Sequence, residues 1–194
     1  MKILVTGGAG FLGSHVADAL SESGHDVTVF DKIDSPYIRP DQKMIIGDIL
    51  DQPAVADAVK NKDALYHFAA IADIDEAIQN PRMTVEVNVM GTLNILEAAK
   101  DFNIQRFILA SSIYVYSDHG SFYSTSKQAC ENLLDDYKKQ FGLPYTILRF
   151  GSLYGPRAEA TNAVHNMIFS AMEMNKIEYN GTGEEMREYI HVKD

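Results

Sequence analysis

The sequence predicts an α/β protein with a doubly wound parallel sheet. Short apolar runs alternate with segments of helical periodicity from the first residue onward, and the connections between successive runs are long enough for a crossover helix. A glycine-rich turn also follows the first apolar run. Strands joined by such crossovers form a parallel sheet with helices on both faces. Ligands of these sheets bind at the carboxyl ends of the strands.

Each apolar run is short and continuous, as expected of a strand that is buried on both faces. The predicted strands are 1–6, 27–31, 43–46, 64–68, 106–110 and 145–150. The predicted helices lie near 12–23, 52–60, 81–101 and 123–141. Pro81 suits the first turn of a helix, and Gly142 with Pro144 ends the last one.

The amino-acid composition indicates which classes of binding partner are disfavoured. The net charge is −10, with 27 acidic against 17 basic residues and no basic run, so nucleic acid and anionic membrane surfaces are disfavoured. The single cysteine, Cys130, excludes an internal disulfide and is typical of a reducing cytoplasm. No apolar stretch is long enough for a membrane span. The six histidines lack metal-ligand spacing, so no metal site is expected, and His67 is interpreted as a core residue.

The glycine-rich turn has the spacing of a phosphate-binding loop. Gly7, Gly10 and Gly13 lie between the first strand and the first helix, where a tight turn and close backbone approach to a pyrophosphate require glycine. The helix N-terminus presents free N–H groups to the phosphate. Asp31 ends the second strand, where a carboxylate can bind both ribose hydroxyls of NAD and repel the 2′-phosphate of NADP. These features together predict an NAD site.

Two Tyr-x-x-x-Lys pairs occur, Tyr123 with Lys127 and Tyr189 with Lys193. The first pair lies on one face of a predicted helix, where an ammonium group favours the phenolate. Ser111 and Ser112 directly follow the predicted strand before it, and the hydroxyl of Ser112 can hold the same substrate oxygen. The second pair lies in a strand-like segment, which would separate its side chains. We therefore assign the first pair to proton transfer and the second to coincidence.

Motifs of one family occur in order along the chain: TGGAGFLG at 6–13, GDI at 47–49, HFAA at 67–70, NVMGT at 88–92, SS at 111–112, Tyr-x-x-x-Lys at 123–127, LRF at 148–150 and YGPR at 154–157. Together they resemble the extended short-chain dehydrogenase/reductases, which have a Rossmann fold. The pattern is most similar to the NAD-dependent nucleotide-sugar epimerase/dehydratase family, of the UDP-galactose 4-epimerase-like type.

The resemblance implies NAD as the cofactor and a set of residues that bind it. Asp48 and Ile49 would bracket the adenine, Phe68 to Ala70 would line the nicotinamide side, and Asn88 would support the site. The full set implied for the cofactor is Gly7, Gly10, Phe11, Leu12, Gly13, Asp31, Asp48, Ile49, Phe68, Ala69, Ala70, Asn88, Ser111, Tyr123, Lys127 and Phe150.

The resemblance also implies the chemistry. Ser112 would bind the reacting hydroxyl, Tyr123 would be the general base, and Lys127 would hold the nicotinamide ribose and lower the pKa of the tyrosine. Hydride transfer to NAD⁺ would give a keto-sugar, and return of the hydride to its other face would give the epimer. The residues implied for the substrate are Ser112, Tyr123, Ser152, Asn162 and Arg187.

The sequence departs from the family pattern near the site. Only ten residues separate Ser112 from Tyr123, so one wall of the sugar pocket is expected to be reduced. Ile113 and Tyr114 stand where dehydratases carry an acidic pair, which disfavours dehydration. Ser152 replaces a common asparagine, which weakens the expected diphosphate contact.

Three functions follow as hypotheses. The first is NAD-dependent epimerisation of a nucleotide sugar; the second is an NAD-dependent sugar or sugar-acid dehydrogenase; the third is a non-catalytic dinucleotide-binding sensor or scaffold. A cytoplasmic homodimer is expected, paired through the helices near 81–101 and 123–141 as is common in the family.

The predicted domains are unequal. Residues 1–155 are expected to form the NAD-binding domain with the catalytic residues. Residues 156–194 are expected to begin an incomplete substrate-binding region interleaved with that domain. The final REYIHVKD resembles a family passage that leads into further substrate-binding structure, so a truncated chain is expected.

Overall fold

The computed structural model describes residues 1–117, 119–177, 182–184 and 186–194. They divide into two compact units, Met1–Arg149 and Phe150–Asp194. This division lies within a strand, a few residues before the boundary that the sequence predicts after residue 155.

Six strands form one sheet in the order β3-β2-β1-β4-β5-β6, which is the strand order of doubly wound dinucleotide-binding folds. The pairs β1/β2, β1/β4, β2/β3 and β4/β5 are parallel, so the predicted fold class is confirmed. The strands of this sheet are β1 (Lys2–Thr6), β2 (Asp26–Asp31), β3 (Lys43–Ile46), β4 (Ala64–His67), β5 (Arg106–Ser112) and β6 (Tyr145–Phe150).

The helices of the first unit are α1 (Phe11–Glu22), α2 (Gln52–Val59), α3 (Ile74–Gln79), α4 (Pro81–Val85), α5 (Gly91–Asp101) and α6 (Ser121–Phe141). A π-helical turn (Glu86–Met90) joins α4 to α5, and a 3₁₀ helix (Ile113–Tyr116) follows β5. Local chemistry sets several ends. The side chain of Asp51 caps α2 by accepting the Ala54 N–H at 3.1 Å, and Gly142 ends α6 at φ +73°.

Alternate residues of each strand pack on opposite faces of the sheet. Leu4 belongs to the larger core, which α2, α5 and α6 cover. Ile3 and Val5 belong to a second core against α1. Two cores on two faces require helices on both sides, which explains the continuous apolar sequence of β1.

The second unit contains a parallel pair, β7 (Ser152–Tyr154) with β8 (Tyr189–His191), and one helix, α7 (Ala163–Met174). No residue of α7 is buried. Over the described part of the chain, no helix has both the length and the apolar character that crossing a bilayer demands.

Candidate active site

The glycine turn between β1 and α1 leaves no room for side chains at two positions. Gly7 has φ +70°, and a Cβ there would lie 2.5 Å from the amide nitrogen of Ala69. A Cβ at Gly13 would collide with the carbonyl group of Gly7. Gly10 is the N-cap of α1 and supplies no side-chain cap, so the N–H groups of the first helical turn, where Phe11 and Leu12 lie, stay available to a ligand.

Asp31 lies beside this turn at the end of β2. Its Oδ2 accepts the N–H of Ala9 at 3.0 Å, and its Oδ1 accepts the N–H of Ile33 at 3.4 Å. These contacts hold the half-buried carboxylate at the edge of the sheet where a dinucleotide ribose is expected.

The other residues predicted to contact the cofactor differ in exposure. Asp48 is exposed, whereas the side chain of Ile49 is buried and packs directly on Gly91. Phe68, Ala69 and Ala70 are half-buried in the segment that leaves β4, where Phe68 and Ala69 lie next to Gly7.

The three predicted catalytic residues lie at the junction of β5 and α6. Ser112 ends β5, and its Oγ accepts the N–H of Tyr114 at 3.2 Å as the cap of the 3₁₀ helix. Lys127 is buried one turn after Tyr123, with its Nζ 5.8 Å from the centre of the tyrosine ring. Ser112 also lies close enough to the phenol of Tyr123 to lower its pKa. The structure therefore brings the predicted set together.

The lowered pKa that the resemblance implies for Tyr123 is not found in the structure. Burial raises the pKa of Tyr123 to about 12, and the hydrogen bond from Ser112 lowers it by less. The Nζ of Lys127 donates to the carbonyl oxygen of Ala110 at 3.0 Å. Burial lowers the pKa of Lys127 as well, against the opposing effects of Cys130 and Glu131. Desolvation is therefore the largest influence on the pKa of both residues.

Asn88 lies in the π-helical turn and connects this junction to the segment after β4. Its Oδ1 accepts the Ile71 N–H at 2.7 Å, and its Nδ2 donates to the Ile71 carbonyl and to Ser126 Oγ, each at 2.9 Å. Ser126 in turn donates to the carbonyl oxygen of Tyr123 at 2.7 Å. A buried asparagine therefore positions the backbone of the predicted base, and π-helical turns are frequent at functional sites.

His67 is a core residue, as predicted. Its Nδ1 is 2.6 Å from Thr6 Oγ1 and its Nε2 is 2.9 Å from Thr92 Oγ1, both hydroxyls being buried. Burial lowers the pKa of His67 to about 3, so the ring is neutral. Among the residues that the structure describes, no group of three or more histidine, cysteine, aspartate or glutamate side chains is arranged to hold a metal ion.

The remaining predicted ligands belong to the second unit, with Phe150 at its start. Ser152 begins β7, and its N–H donates to the Glu188 carbonyl at 2.7 Å. Asn162 caps α7, where its Oδ1 accepts the His165 N–H at 3.1 Å. Arg187 is exposed and lies just before β8. Their role toward a substrate stays a prediction.

Tyr189 lies in β8 and Lys193 follows the end of that strand. The tyrosine ring meets the ring of Tyr154 edge-on, with centroids 6.4 Å apart. This segment is a strand, as predicted, so the pair does not share a helical face.

Glu131 is a residue of this junction that the sequence pattern did not reveal. It is buried in α6, one turn after Lys127, where it accepts a hydrogen bond from Ser111 and forms an ion pair with Arg149. An acid within an amphipathic helix is usually solvent-facing, and only its i+4 spacing from Lys127 offered a clue.

Comparison with known proteins agrees with this geometry. A family model, the NAD dependent epimerase/dehydratase family, matches residues 3–194. A putative UDP-glucose 4-epimerase of Methanocaldococcus jannaschii is 32% identical, over 99% of this chain and 70% of its own length. A dTDP-glucose 4,6-dehydratase of Streptomyces niveus is 31% identical, over 100% of this chain and 66% of its own length. The chain thus spans about two thirds of the length of these relatives.

Solved structures show the same relationship. The UDP-glucose 4-epimerase of Thermus thermophilus, solved in complex with NAD, superposes with a TM-score of 0.87 at 29% identity, over 99% of this chain and 71% of that one. The family model matches nearly every residue, and the observed strand order and glycine turn are those of a dinucleotide-binding fold. The chain therefore belongs to the NAD-dependent epimerase/dehydratase family.

Proposed function

We propose that this chain carries the cofactor site and the catalytic residues of an NAD-dependent nucleotide-sugar epimerase. The observation that supports this most is the placement of Ser112, Tyr123 and Lys127 at the carboxyl end of β5. This is the same edge of the parallel sheet that carries the glycine turn and Asp31. A sugar hydroxyl bound there is within reach of both a base and a dinucleotide.

The residues at this edge fit a dinucleotide. Gly7 and Gly13 admit no Cβ, so the backbone can lie close to a pyrophosphate. The free N–H groups at the start of α1 suit its negative charge, and the carboxylate of Asp31 suits the ribose hydroxyls. Bound NAD would supply reversible hydride transfer.

Tyr123 is the general base of the proposed reaction. It takes the proton of the sugar hydroxyl while Ser112 holds the same oxygen, and it gives the proton back when the carbonyl is reduced. Lys127 binds the ribose and stabilises the phenolate as it forms. Reduction of the keto-sugar on its opposite face gives the epimer of the starting sugar.

Epimerisation is favoured over 4,6-dehydration by the residues after Ser112. Ile113 and Tyr114 begin the 3₁₀ helix, and neither is an acid that could expel water. Family membership alone does not distinguish the two reactions, since both kinds of enzyme are about equally similar to this chain.

A homodimer is part of the proposal. Helices α5 and α6 pack side by side in the first unit, and the segment leading into α5 exposes Met83 and Met90, with 48% and 46% of their surface accessible. Exposed apolar side chains beside this pair of helices are suited to pairing with a second copy.

The test is turnover by the purified chain with UDP-glucose or UDP-galactose and NAD⁺. We expect interconversion of the two sugars with NAD retained through many turnovers. Stoichiometric release of NADH with an oxidised sugar would contradict epimerisation in favour of a dehydrogenase. Unchanged biological activity of the Tyr123→Phe protein would favour the sensor hypothesis instead.

A further inference from the structure

Glu131 joins three elements of the site through one buried carboxylate. Ser111 Oγ donates to its Oε1 at 2.5 Å, and Arg149 donates from Nε to Oε1 at 2.9 Å and from a terminal nitrogen to Oε2 at 2.6 Å. Ser111 is the neighbour of Ser112 in β5, Arg149 lies in β6, and Glu131 itself lies in α6.

This arrangement is costly if stability alone is considered. The Glu131 side chain is only 11% exposed, so its desolvation offsets much of the attraction to Arg149. The guanidinium carbon of Arg149 also lies 4.5 Å from the centre of the Tyr116 ring. Arg149 is 37% exposed, so only the carboxylate of this ion pair is buried. A buried carboxylate with three hydrogen bonds from two strands is better explained by what it positions than by its contribution to stability.

The surroundings of Lys127 indicate which group Glu131 positions. The titratable groups that interact with it electrostatically are Tyr123, Cys130 and Glu131 on α6 and His67 on β4. At pH 7 the phenol is protonated because its pKa is about 12, burial raises the pKa of the thiol, and the imidazole is neutral. Among these groups of the described chain, Glu131 is the one that supplies a negative charge.

We propose that Glu131 is a positioning residue that holds the end of β5 against α6 and β6 and keeps Lys127 in its ammonium form. The carboxylate fixes the strand residue next to Ser112 and stands one helical turn from the lysine. The link to catalysis rests on the proposed function, in which the ammonium group binds the cofactor ribose.

The test compares Glu131→Gln with Asp136→Asn. The glutamine has nearly the same shape and keeps an acceptor for Ser111, while it removes the charge and replaces the oxygen that accepts from the terminal nitrogen of Arg149. Asp136 is on the same helix with its side chain 70% exposed, so its substitution removes one charge without a buried contact. The readouts are the ¹⁵N NMR titration of the Lys127 ammonium group, assigned with Lys127→Met, and the dissociation constant of NAD⁺ from pH 7 to pH 10.

We expect Glu131→Gln to shift the Lys127 titration to lower pH and to weaken NAD⁺ binding by about tenfold at the alkaline end. Glu131→Asp, which restores the charge, should move the titration back toward wild type. Equal Lys127 titrations in the Glu131→Gln and Asp136→Asn proteins would overturn the proposal.

Two further comparisons cover the cases in which Glu131→Gln does not fold or wild-type protein does not bind NAD⁺. If Glu131→Gln does not fold, the double variant Glu131→Gln/Arg149→Gln takes its place and is compared with Arg149→Gln alone, because both proteins then lack the guanidinium; equal Lys127 titrations in these two proteins would refute the proposal. If wild-type protein does not bind NAD⁺, the proposed function fails, while the NMR titration still decides the role of Glu131.

Discussion

Lys127 donates a hydrogen bond from Nζ to the carbonyl oxygen of Ala110 at 3.0 Å, which ties α6 to β5 two residues before Ser112. An ammonium group has three N–H donors, so the bond to the strand leaves two for ribose hydroxyls. The same contact sets the distance between the strand that carries the serine and the helix that carries the tyrosine. The geometry of the proposed reaction therefore depends on a backbone acceptor as well as on side chains.

Replacing Tyr123 with phenylalanine should abolish proton transfer while leaving the fold intact. We expect kcat to fall by about 10²- to 10⁴-fold with little change in NAD⁺ affinity, because only the hydroxyl is lost. The measurement is the rate of UDP-galactose formation together with calorimetric titration of NAD⁺. Tyr189→Phe is the matched control, since it removes the hydroxyl of the second Tyr-x-x-x-Lys pair; an equal loss in that variant would refute the assignment.

Two glycines of the turn are expected to have different roles: Gly10 is required for NAD⁺ binding, and Gly13 is required for folding. A Cβ at Gly10 would lie 3.4 Å from the carbonyl oxygen of Gly7, an ordinary contact, at φ −79°. Gly10→Ala should therefore melt near wild type but bind NAD⁺ about tenfold more weakly or worse, because the methyl group would take up space that the proposed binding mode gives to the phosphate. Gly13→Ala should lower the free energy of unfolding by about 1–3 kcal/mol through overpacking.

Thermal melts and NAD⁺ titrations of both glycine variants check this difference. Gly24→Ser controls for NAD⁺ affinity: a Cβ at that position meets nothing within 4 Å, but φ is +82°, so we expect a lower melting temperature from backbone strain and unchanged NAD⁺ affinity. Undiminished NAD⁺ affinity in Gly10→Ala would contradict a phosphate-binding role for the turn.

Local sequence predicted the sheet well because buried parallel strands are continuously apolar. The bounds of β3 and β6 agree with the prediction, whereas β5 was expected to end at residue 110 and continues to Ser112. Two polar serines ended the apolar run, although the strand continues through them. Helix α3 was missed because it is only six residues long, yet Asp73 marks its start by accepting the Glu76 N–H at 2.8 Å.

Tertiary contacts explain what local patterns could not predict. The helix expected near 81–101 contains the π-helical turn, whose Asn88 bonds Ile71 and Ser126 far away in the sequence. The buried position of Glu131 likewise depends on Ser111 and on the strand β6. The pKa of Tyr123 was mispredicted because spacing shows the nearby ammonium group but not the burial of the phenol.

Asp31→Asn should relax the choice of dinucleotide. The amide oxygen can still accept the Ala9 N–H that the carboxylate accepts at 3.0 Å, so the turn is retained while the charge is lost. We expect the ratio of the NADP⁺ to NAD⁺ dissociation constants to fall by about tenfold or more, since repulsion of the 2′-phosphate is removed. Asp34→Asn, an exposed position nearby, controls for net charge and should leave the ratio unchanged.

Met90→Glu should convert the proposed homodimer to a monomer, because pairing would bury an uncompensated charge. Sedimentation velocity over a concentration series gives the oligomeric state. Met172→Glu makes the same change at a 77% exposed position of α7 and should leave the oligomeric state unaltered. A monomeric wild type, or a dimer that tolerates Met90→Glu, would exclude this pairing.

His67 should make the fold sensitive to acid between pH 6.5 and pH 3. Its pKa is lowered from 6.5 to about 3, so below pH 6.5 the unfolded chain binds a proton that the folded chain does not. The free energy of unfolding must then fall with falling pH, by up to about 1.4 kcal/mol per unit from this group. In urea titrations between pH 4.5 and pH 6.5, His67→Asn should flatten that slope even though its absolute stability is lower. The control is His119→Asn at an exposed site, which should retain the wild-type dependence of the free energy of unfolding on pH. If the His67→Asn protein shows the same dependence as this control, the buried imidazole is not the cause of the acid sensitivity.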